Sequence, residues 1–346
     1  MDEKRNLFGL SRKELESYAV ELGLPTFRGR QLYRWIYSKS ATGLDAMTDL
    51  PRVLRDRLAE SFIVRPPVPL SQHRSEDGTV KFLFSLAGSK NVEAVYIHDH
   101  HEESVRHTIC LSTQVGCPLK CTFCYSGTVP FARNLTVGEI LGQFSAVRNA
   151  FLSATSRVNV VFMGMGEPLL NTDAVLGSLG VLTDPDGFAV SPRRITVSTA
   201  GLAEELERFV ALSPPVGLAI SLHATTNESR DRMMPINRKH PLEELLDTTR
   251  RLPLPRRRKI TFEYVLLGGE NDSAEDAERL ARLLRGVKAK VNLISYNPWP
   301  GSPHQASNPQ ATERFMEILA GAGYTVNLRR SRGDDILAAC GQLAGA

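Results

Sequence analysis

Apolar residues recur at helical spacing near the start of the chain and in short unbroken runs further on, and this change of pattern divides it. Ser11 is placed to cap a helix running to Ala19, and residues 27–37, Phe-Arg-Gly-Arg-Gln-Leu-Tyr-Arg-Trp-Ile-Tyr, keep the helical period. Residues 1–64 are therefore expected to form a small helical domain. The Pro-rich Arg65-Pro66-Pro67-Val68-Pro69 reads as a linker, and 79–86 and 92–97 alternate as the strands of a hairpin, so 65–103 is expected to be a linker with a β-hairpin extension. Apolar runs then recur at 108–112, 158–163, 195–198, 217–222, 260–267 and 291–296, with helical stretches between them. Strands alternating with helices predict a parallel sheet with right-handed crossovers, an α/β core over 104–300 that is either open or closed into a barrel. Thr136-Val137-Gly138-Glu139 has capping-box spacing ahead of Ile140, Leu141 and Phe144, which predicts a helix start there. Residues 301–346 form a C-terminal segment beyond this core.

Composition narrows the class. The chain has 346 residues, 42% of them hydrophobic and 23% charged, which is globular and neither disordered nor fibrous. Its net charge of +4 permits an anionic partner without requiring one. Arg28, Arg30, Arg34 and Lys39 interleave with Tyr33, Trp35 and Tyr37, a pattern that suits either an RNA grip or an amphipathic helix with a solvated basic face. The charged opening MDEKRNLFGL has no apolar run behind it, so no secretory leader is expected, and no run approaches the roughly 18 apolar residues of a membrane span. Five cysteines, an odd number, fit a disulfide framework poorly and a reduced metal or redox site better.

Three of those cysteines carry the chemistry. Cys117, Cys121 and Cys124 occupy a loop after the first strand of the core, a spacing that arises by accident roughly once in a thousand such chains. A structural zinc would want a fourth protein ligand nearby, and no candidate follows before the next helix. Three thiolates can instead hold a [4Fe–4S] cluster with one iron open to an exogenous ligand. In parallel sheets ligands gather at the carboxyl ends of strands, which here carry Gly164-Met165-Gly166-Glu167-Pro168, Ser198-Thr199-Ala200-Gly201, Ser221-Leu222-His223 and Tyr296-Asn297-Pro298. An open iron beside a glycine-rich strand end is suited to the amino and carboxylate groups of S-adenosylmethionine (SAM).

In these features the chain resembles the radical SAM superfamily. The stretches 163–171, 221–224, 234–238 and 333–343 further resemble the RlmN/Cfr family of RNA adenosine methyltransferases, on its RlmN side, over essentially the whole length. That resemblance implies a partial (β/α)6 barrel with a small N-terminal helical domain. It implies SAM contacts at Gly166, Glu167, Ser198, Ser221, Leu222, His223 and Asn297, with Phe123 near the adenine. It also implies that two molecules of SAM are used per turnover.

The resemblance gives roles to the two isolated cysteines, which by themselves read as a buried small residue and a helix-packing residue. Cys340 would take a methyl group from one SAM and pass through an S-methylcysteine intermediate. A 5′-deoxyadenosyl radical from the second SAM would remove hydrogen from it, and the methylene radical would add to the adenine ring. Glu93 would accept the ring proton and Cys110 would attack the sulfur of Cys340, leaving a transient disulfide for a thiol reductant to open. Taken alone, Glu93 reads as the solvent-facing member of an alternating strand.

Two stretches depart from the family. The insertion His98-Asp99-His100-His101-Glu102-Glu103 reads as a solvated hairpin tip rather than a metal site, and Pro130 stands where glycine is expected. The implied reaction is methylation of carbon 2 of an adenosine in 23S rRNA at the peptidyl-transferase centre, and of the adenosine next to the anticodon in tRNA. Arg256–Lys259, Lys288, Lys290, Arg329, Arg330 and Arg332 would supply phosphate-binding charge. An electron donor, a cytoplasmic location and a monomer without membrane contact complete the expectation. The alternatives are Cfr-type methylation at carbon 8 and, from another class, a non-catalytic iron–sulfur RNA-binding or redox-sensing protein.

Overall fold

The computed structural model describes residues 4–101, 104–153, 156–255 and 258–345. Arg256 and Arg257 of the basic run, and Glu102 and Glu103 of the insertion, lie outside the described residues. Ten strands form one sheet: β1 (Pro69–Arg74), β2 (Val80–Leu86), β3 (Lys90–His101), β4 (Ser104–Cys110), β5 (Val158–Phe162), β6 (Ile195–Thr199), β7 (Gly217–Ser221), β8 (Ile260–Leu266), β9 (Ala289–Ser295) and β10 (Val326–Arg329). Their spatial order follows the chain, with β1–β4 antiparallel and β4–β10 parallel. The parallel part has seven strands rather than the six expected. β10 is short and largely solvent-facing, so it lacks the apolar run that marks a buried strand. The stretch after Pro67 is not all linker either, because β1 starts at Pro69 as an edge strand, a position that tolerates a missing N–H.

Among the described residues ten helices accompany the sheet: α1 (Arg12–Glu21), α2 (Phe27–Tyr37), α3 (Arg52–Ser61), α4 (Val137–Phe151), α5 (Thr172–Thr183), α6 (Ala203–Leu212), α7 (Asn227–Met233), α8 (Leu242–Arg251), α9 (Ala274–Leu283) and α10 (Pro309–Gly321). Ser11 caps α1 as expected, there completing a capping box with Glu14, and the predicted capping box of Thr136 with Glu139 opens α4. Helices α4–α10 connect successive strands from β4 to β10, the pattern of right-handed β–α–β crossovers. Seven parallel strands and their helices make a partial barrel whose concave face holds the site.

The N-terminal helices pack on that barrel through one continuous apolar core, with Tyr37 edge-on to Phe188 at 5.5 Å. This corrects half of the RNA-grip expectation for α2. Tyr33 and Tyr37 are buried, and Arg34 faces Asp186, so these aromatics serve the core and cannot stack on bases. The insertion forms the end of the β3–β4 hairpin, pairing His98–His101 with Ser104–His107, and within it His98 stacks on Tyr96 and His107.

Candidate active site

The cysteine loop leaves β4 and is held from three sides. Thr122 N–H donates to Met233 O at the end of α7 (3.0 Å), Trp299 Nε1–H donates to Phe123 O (3.2 Å), and Tyr125 stacks on Trp299 at 5.0 Å. Cys117, Cys121 and Cys124 line one cavity together with Phe123, Gly166, Glu167, Ser198, Ser221, His223 and Asn297. Leu222 alone of the expected SAM contacts does not line it, because its side chain points into the core. Among the described residues no three His, Cys, Asp or Glu side chains converge on a single-ion position. That argues against mononuclear zinc, whereas thiols that each hold a different iron of a cubane need not converge. Burial pushes the Cys117 thiol up to about 12 and raises Cys121 and Cys124, with mutual repulsion adding to the shift at Cys117 and Cys121. Thiolates in this cavity need a cationic partner, which an iron–sulfur cluster supplies, so the donor set fits the group.

The strand ends explain the motif residues. Gly166 has φ +98°, and a Cβ there would lie 2.5 Å from Gln114 Cβ, so no other residue fits this turn. Glu167 N–H donates to Gln114 Oε1, while its buried carboxylate accepts from Leu169 N–H (3.0 Å) and Ala200 N–H (2.8 Å). The Thr199 side chain bonds it as well, which leaves one carboxylate lone-pair position for an ammonium group. His223 sits in the left-handed region at φ 57°, and its Nδ1 accepts from Val265 N–H at 2.9 Å. Burial pushes its pKa down to about 3, so the ring is neutral with its proton on Nε2, and Phe123 packs edge-on against it at 4.8 Å.

A second, larger cavity of about 1280 Å³ fills the concave face of the barrel. Arg106, Arg157, Arg193, Arg194, Lys290 and Arg330 line it, opposed by few carboxylates. Arg332 also lines it but is paired with Asp99 at 2.6 Å. Cys340 lies on the wall shared by the two cavities, as do Asn297, Glu263 and Arg329. Cys110, at the end of β4, lines the larger one. Burial pushes the Cys110 thiol up to about 12, with Cys340 adding to the rise and Arg329 opposing it. Cys340 is exposed at the cavity wall, yet the protein around its sulfur raises the thiol, and Arg329 opposes the shift. The structure thus brings Cys110, Cys340 and a guanidinium together.

Glu93 is not the solvent-facing strand member that it reads as when taken alone. It is 1% exposed rather than solvent-facing, and it lines neither cavity. Its Oε1 is paired with Lys81 Nζ at 2.9 Å, and its Oε2 accepts from Ala344 N–H (2.8 Å) and Gly345 N–H (2.9 Å). Asn297 Nδ2 donates to Cys340 O at 3.0 Å, so this side chain already braces the Cys340 loop. Sequence reasoning missed Glu263 and gave Arg329 only a phosphate-binding role, not its place beside Cys110 and Cys340. Glu263 is the lone carboxylate of an otherwise uncharged, fully buried strand, and its Oε2 lacks a hydrogen-bond partner; that lone charge in an apolar run was the available signal.

The sequence matches the Radical SAM superfamily over residues 111–284 and the ribosomal RNA large subunit methyltransferase N-terminal domain over residues 5–64. It is 48% identical over 345 residues to the dual-specificity RNA methyltransferase RlmN of Geobacter sulfurreducens, covering 100% of this chain and 93% of that one. The RlmN of Gluconobacter oxydans is 46% identical over 351 residues, covering 99% and 86%. A radical SAM methyltransferase from Sphaerobacter thermophilus, solved by crystallography, superposes with a TM-score of 0.90 at 40% identity, covering 99% of this chain and 100% of that one.

Proposed function

The chain belongs to the RlmN family of radical SAM RNA methyltransferases, and from that premise we propose that it methylates carbon 2 of an adenosine in 23S rRNA and of the adenosine next to the anticodon in tRNA. One observation carries the reading: Cys340 stands on the wall between the cysteine-lined cavity and the basic one. A methyl group received from one side can be delivered to a base on the other. Cys117, Cys121 and Cys124 hold the [4Fe–4S] cluster, and Glu167, Ser198, Ser221, His223 and Asn297 surround SAM. When bound, the cluster and SAM supply reductive, one-electron cleavage of the sulfonium.

The chain's own residues do the rest. Cys340 sulfur accepts the methyl group and carries the carbon to the base. Arg329 favours the thiolate of both Cys340 and Cys110 at the moments each acts as a nucleophile. Glu93 accepts the ring proton once the segment 344–345 has left its carboxylate. Residues 1–64 act as an accessory RNA-contacting domain through their basic side chains, and 65–103 as the extension flanking the barrel at 104–300. The enzyme works in the cytoplasm, where an electron donor and a thiol reductant are at hand; among the described residues no helix is long and apolar enough to cross a membrane.

Nucleoside mass spectrometry of rRNA and tRNA, after anaerobic incubation with the reconstituted protein, SAM and reductant, tests this. 2-Methyladenosine is expected, and none from Cys340→Ala. 8-Methyladenosine would assign the carbon-8 reaction instead, and absence of SAM-dependent 5′-deoxyadenosine would assign the non-catalytic role.

A further inference from the structure

Among the described residues Arg230, on α7, is the largest fully buried side chain, at 0% exposure. Its five N–H groups are accounted for. Nε donates to Leu222 O (3.1 Å), Nη1 to Asn237 Oδ1 (2.9 Å) and His240 O (3.4 Å), and Nη2 to Ala200 O (2.7 Å) and Ser221 O (3.2 Å). Every acceptor is neutral, and among the described residues no carboxylate comes within ion-pair distance of the guanidinium. A buried charge without a counter-charge is costly even when every donor is satisfied, and folds seldom keep one without a use for it.

The surroundings point to what the charge faces. Ala200 and Ser221, whose carbonyls hold Nη2, line the same cavity as Cys117, Cys121 and Cys124. One turn beyond Arg230, Met233 O accepts from Thr122 N–H in the cysteine loop, and Met233 belongs to the apolar cluster against which Cys121 and Phe123 pack. Asp231, the adjacent residue of the helix, is linked to the guanidinium through Asn237, whose Nδ2 donates to Asp231 Oδ1 (2.7 Å). The thiolate side of the cavity offers a further counter-charge, across the Ala200 and Ser221 carbonyls.

We propose that Arg230 is a positioning residue that supplies the fixed positive charge setting the reduction potential of the [4Fe–4S] cluster. A cluster held by three thiolates carries net negative charge, and that charge grows when the cluster takes up its electron. A cation fixed nearby in a low-dielectric interior stabilises the reduced form more than the oxidised one and raises the potential. The same side chain ties the ends of β6 and β7, so the strand ends around SAM and the electrostatics of the cluster depend on one group. The role rests on assigning the three cysteines as cluster ligands.

Redox titration of the reconstituted protein, followed by electron paramagnetic resonance of the reduced cluster, separates charge from hydrogen bonding. Asn237→Asp keeps the 2.9 Å contact while placing a carboxylate against Nη1, and it is made together with Asp231→Asn, whose amide then donates where Asn237 Nδ2 now donates to Asp231 Oδ1 (2.7 Å), so that two carboxylates do not meet. It should lower the reduced-to-oxidised ratio at a fixed potential about tenfold, which is about 59 mV for a one-electron couple. Arg230→Met should shift it the same way. Arg230→Lys, which keeps the charge but loses most of the bonds, should stay near the wild-type value, with iron and sulfide content and circular dichroism reporting an intact fold. Loss of the cluster from both charge-cancelled variants but not from Arg230→Lys supports the same role. An unchanged potential in the loaded Asn237→Asp, Asp231→Asn variant overturns it, whatever Arg230→Met does. Failure of the wild-type protein itself to take up iron would overturn the cysteine assignment and the role of Arg230 with it.

Discussion

Three residues show how the site uses conformations and charge states that a side chain does not adopt in water. Gly166→Ala must hold φ +98° and push Cβ into Gln114, so a loss of about 1–3 kcal/mol is expected by denaturant unfolding, with weaker SAM binding by calorimetry. His223 is kept neutral, its pKa pushed down to about 3, whereas the unfolded chain protonates near 6.5. The unfolded state therefore binds the extra proton, and stability is lost as pH falls from about 6.5 toward 3, at up to about 1.4 kcal/mol per pH unit. His223→Asn, which also suits the left-handed backbone, should lack this loss, so the gap between the two melting temperatures should narrow from pH 7.5 to pH 5. Arg329 opposes the desolvation that raises the Cys340 thiol. Methyl uptake by Cys340 should rise with pH, and Arg329→Met should move that rise to higher pH, read as methyl groups per chain by intact-protein mass spectrometry.

Among the elements, the C-terminal loop is held by its neighbours more than by itself. Tyr125 N–H donates to Gly341 O, Ser126 Oγ to Leu343 O, and Gln342 Nε2 to Pro298 O, while Glu93 on β3 accepts from Ala344 and Gly345. Removing Glu93 would free the two amides and leave Lys81 buried without its partner, a change worth about 3–5 kcal/mol. Glu93→Gln should accelerate amide exchange at residues 344–345 and leave α4 unaffected, as read by hydrogen–deuterium exchange. The regular elements were legible because each announces itself locally. Capping boxes, apolar runs and turn glycines need only a few consecutive residues, and α1, α4 and β5–β9 fall where they predict. β10 was not legible, because its few residues are only partly buried, and the inward placement of Tyr33 and Tyr37 was not, because an amphipathic helix does not say which partner covers it.

For the molecule as a whole, the basic cavity and the cysteine-lined cavity meet at one wall, and RNA binding should be governed by the larger one. Replacing Arg157, Arg193, Arg194 and Lys290 together with alanine removes four cations that face it. If each contacts one phosphate of a single-stranded target, the slope of log affinity against log salt should fall by about 3, measured by filter binding across a salt series. SAM binding by the same variant should be unchanged.

At that scale the division between sequence and structure is plain. The sequence by itself determined the spacing of the cysteine loop, the strand-end motifs and the alternation that builds a parallel barrel, because cysteine spacing, glycine turns and hydrophobic period are properties of neighbouring residues. Only the tertiary structure decided that Cys110 and Cys340, far apart along the chain, share an electrostatic environment with Arg329. It alone placed Glu93 beneath residues 344–345, left Glu263 half-satisfied between two cavities, and set Arg230 uncompensated behind the cysteine loop. Burial and the pairing of charges depend on which surfaces the crossovers bring face to face, and one-dimensional spacing carries no record of that.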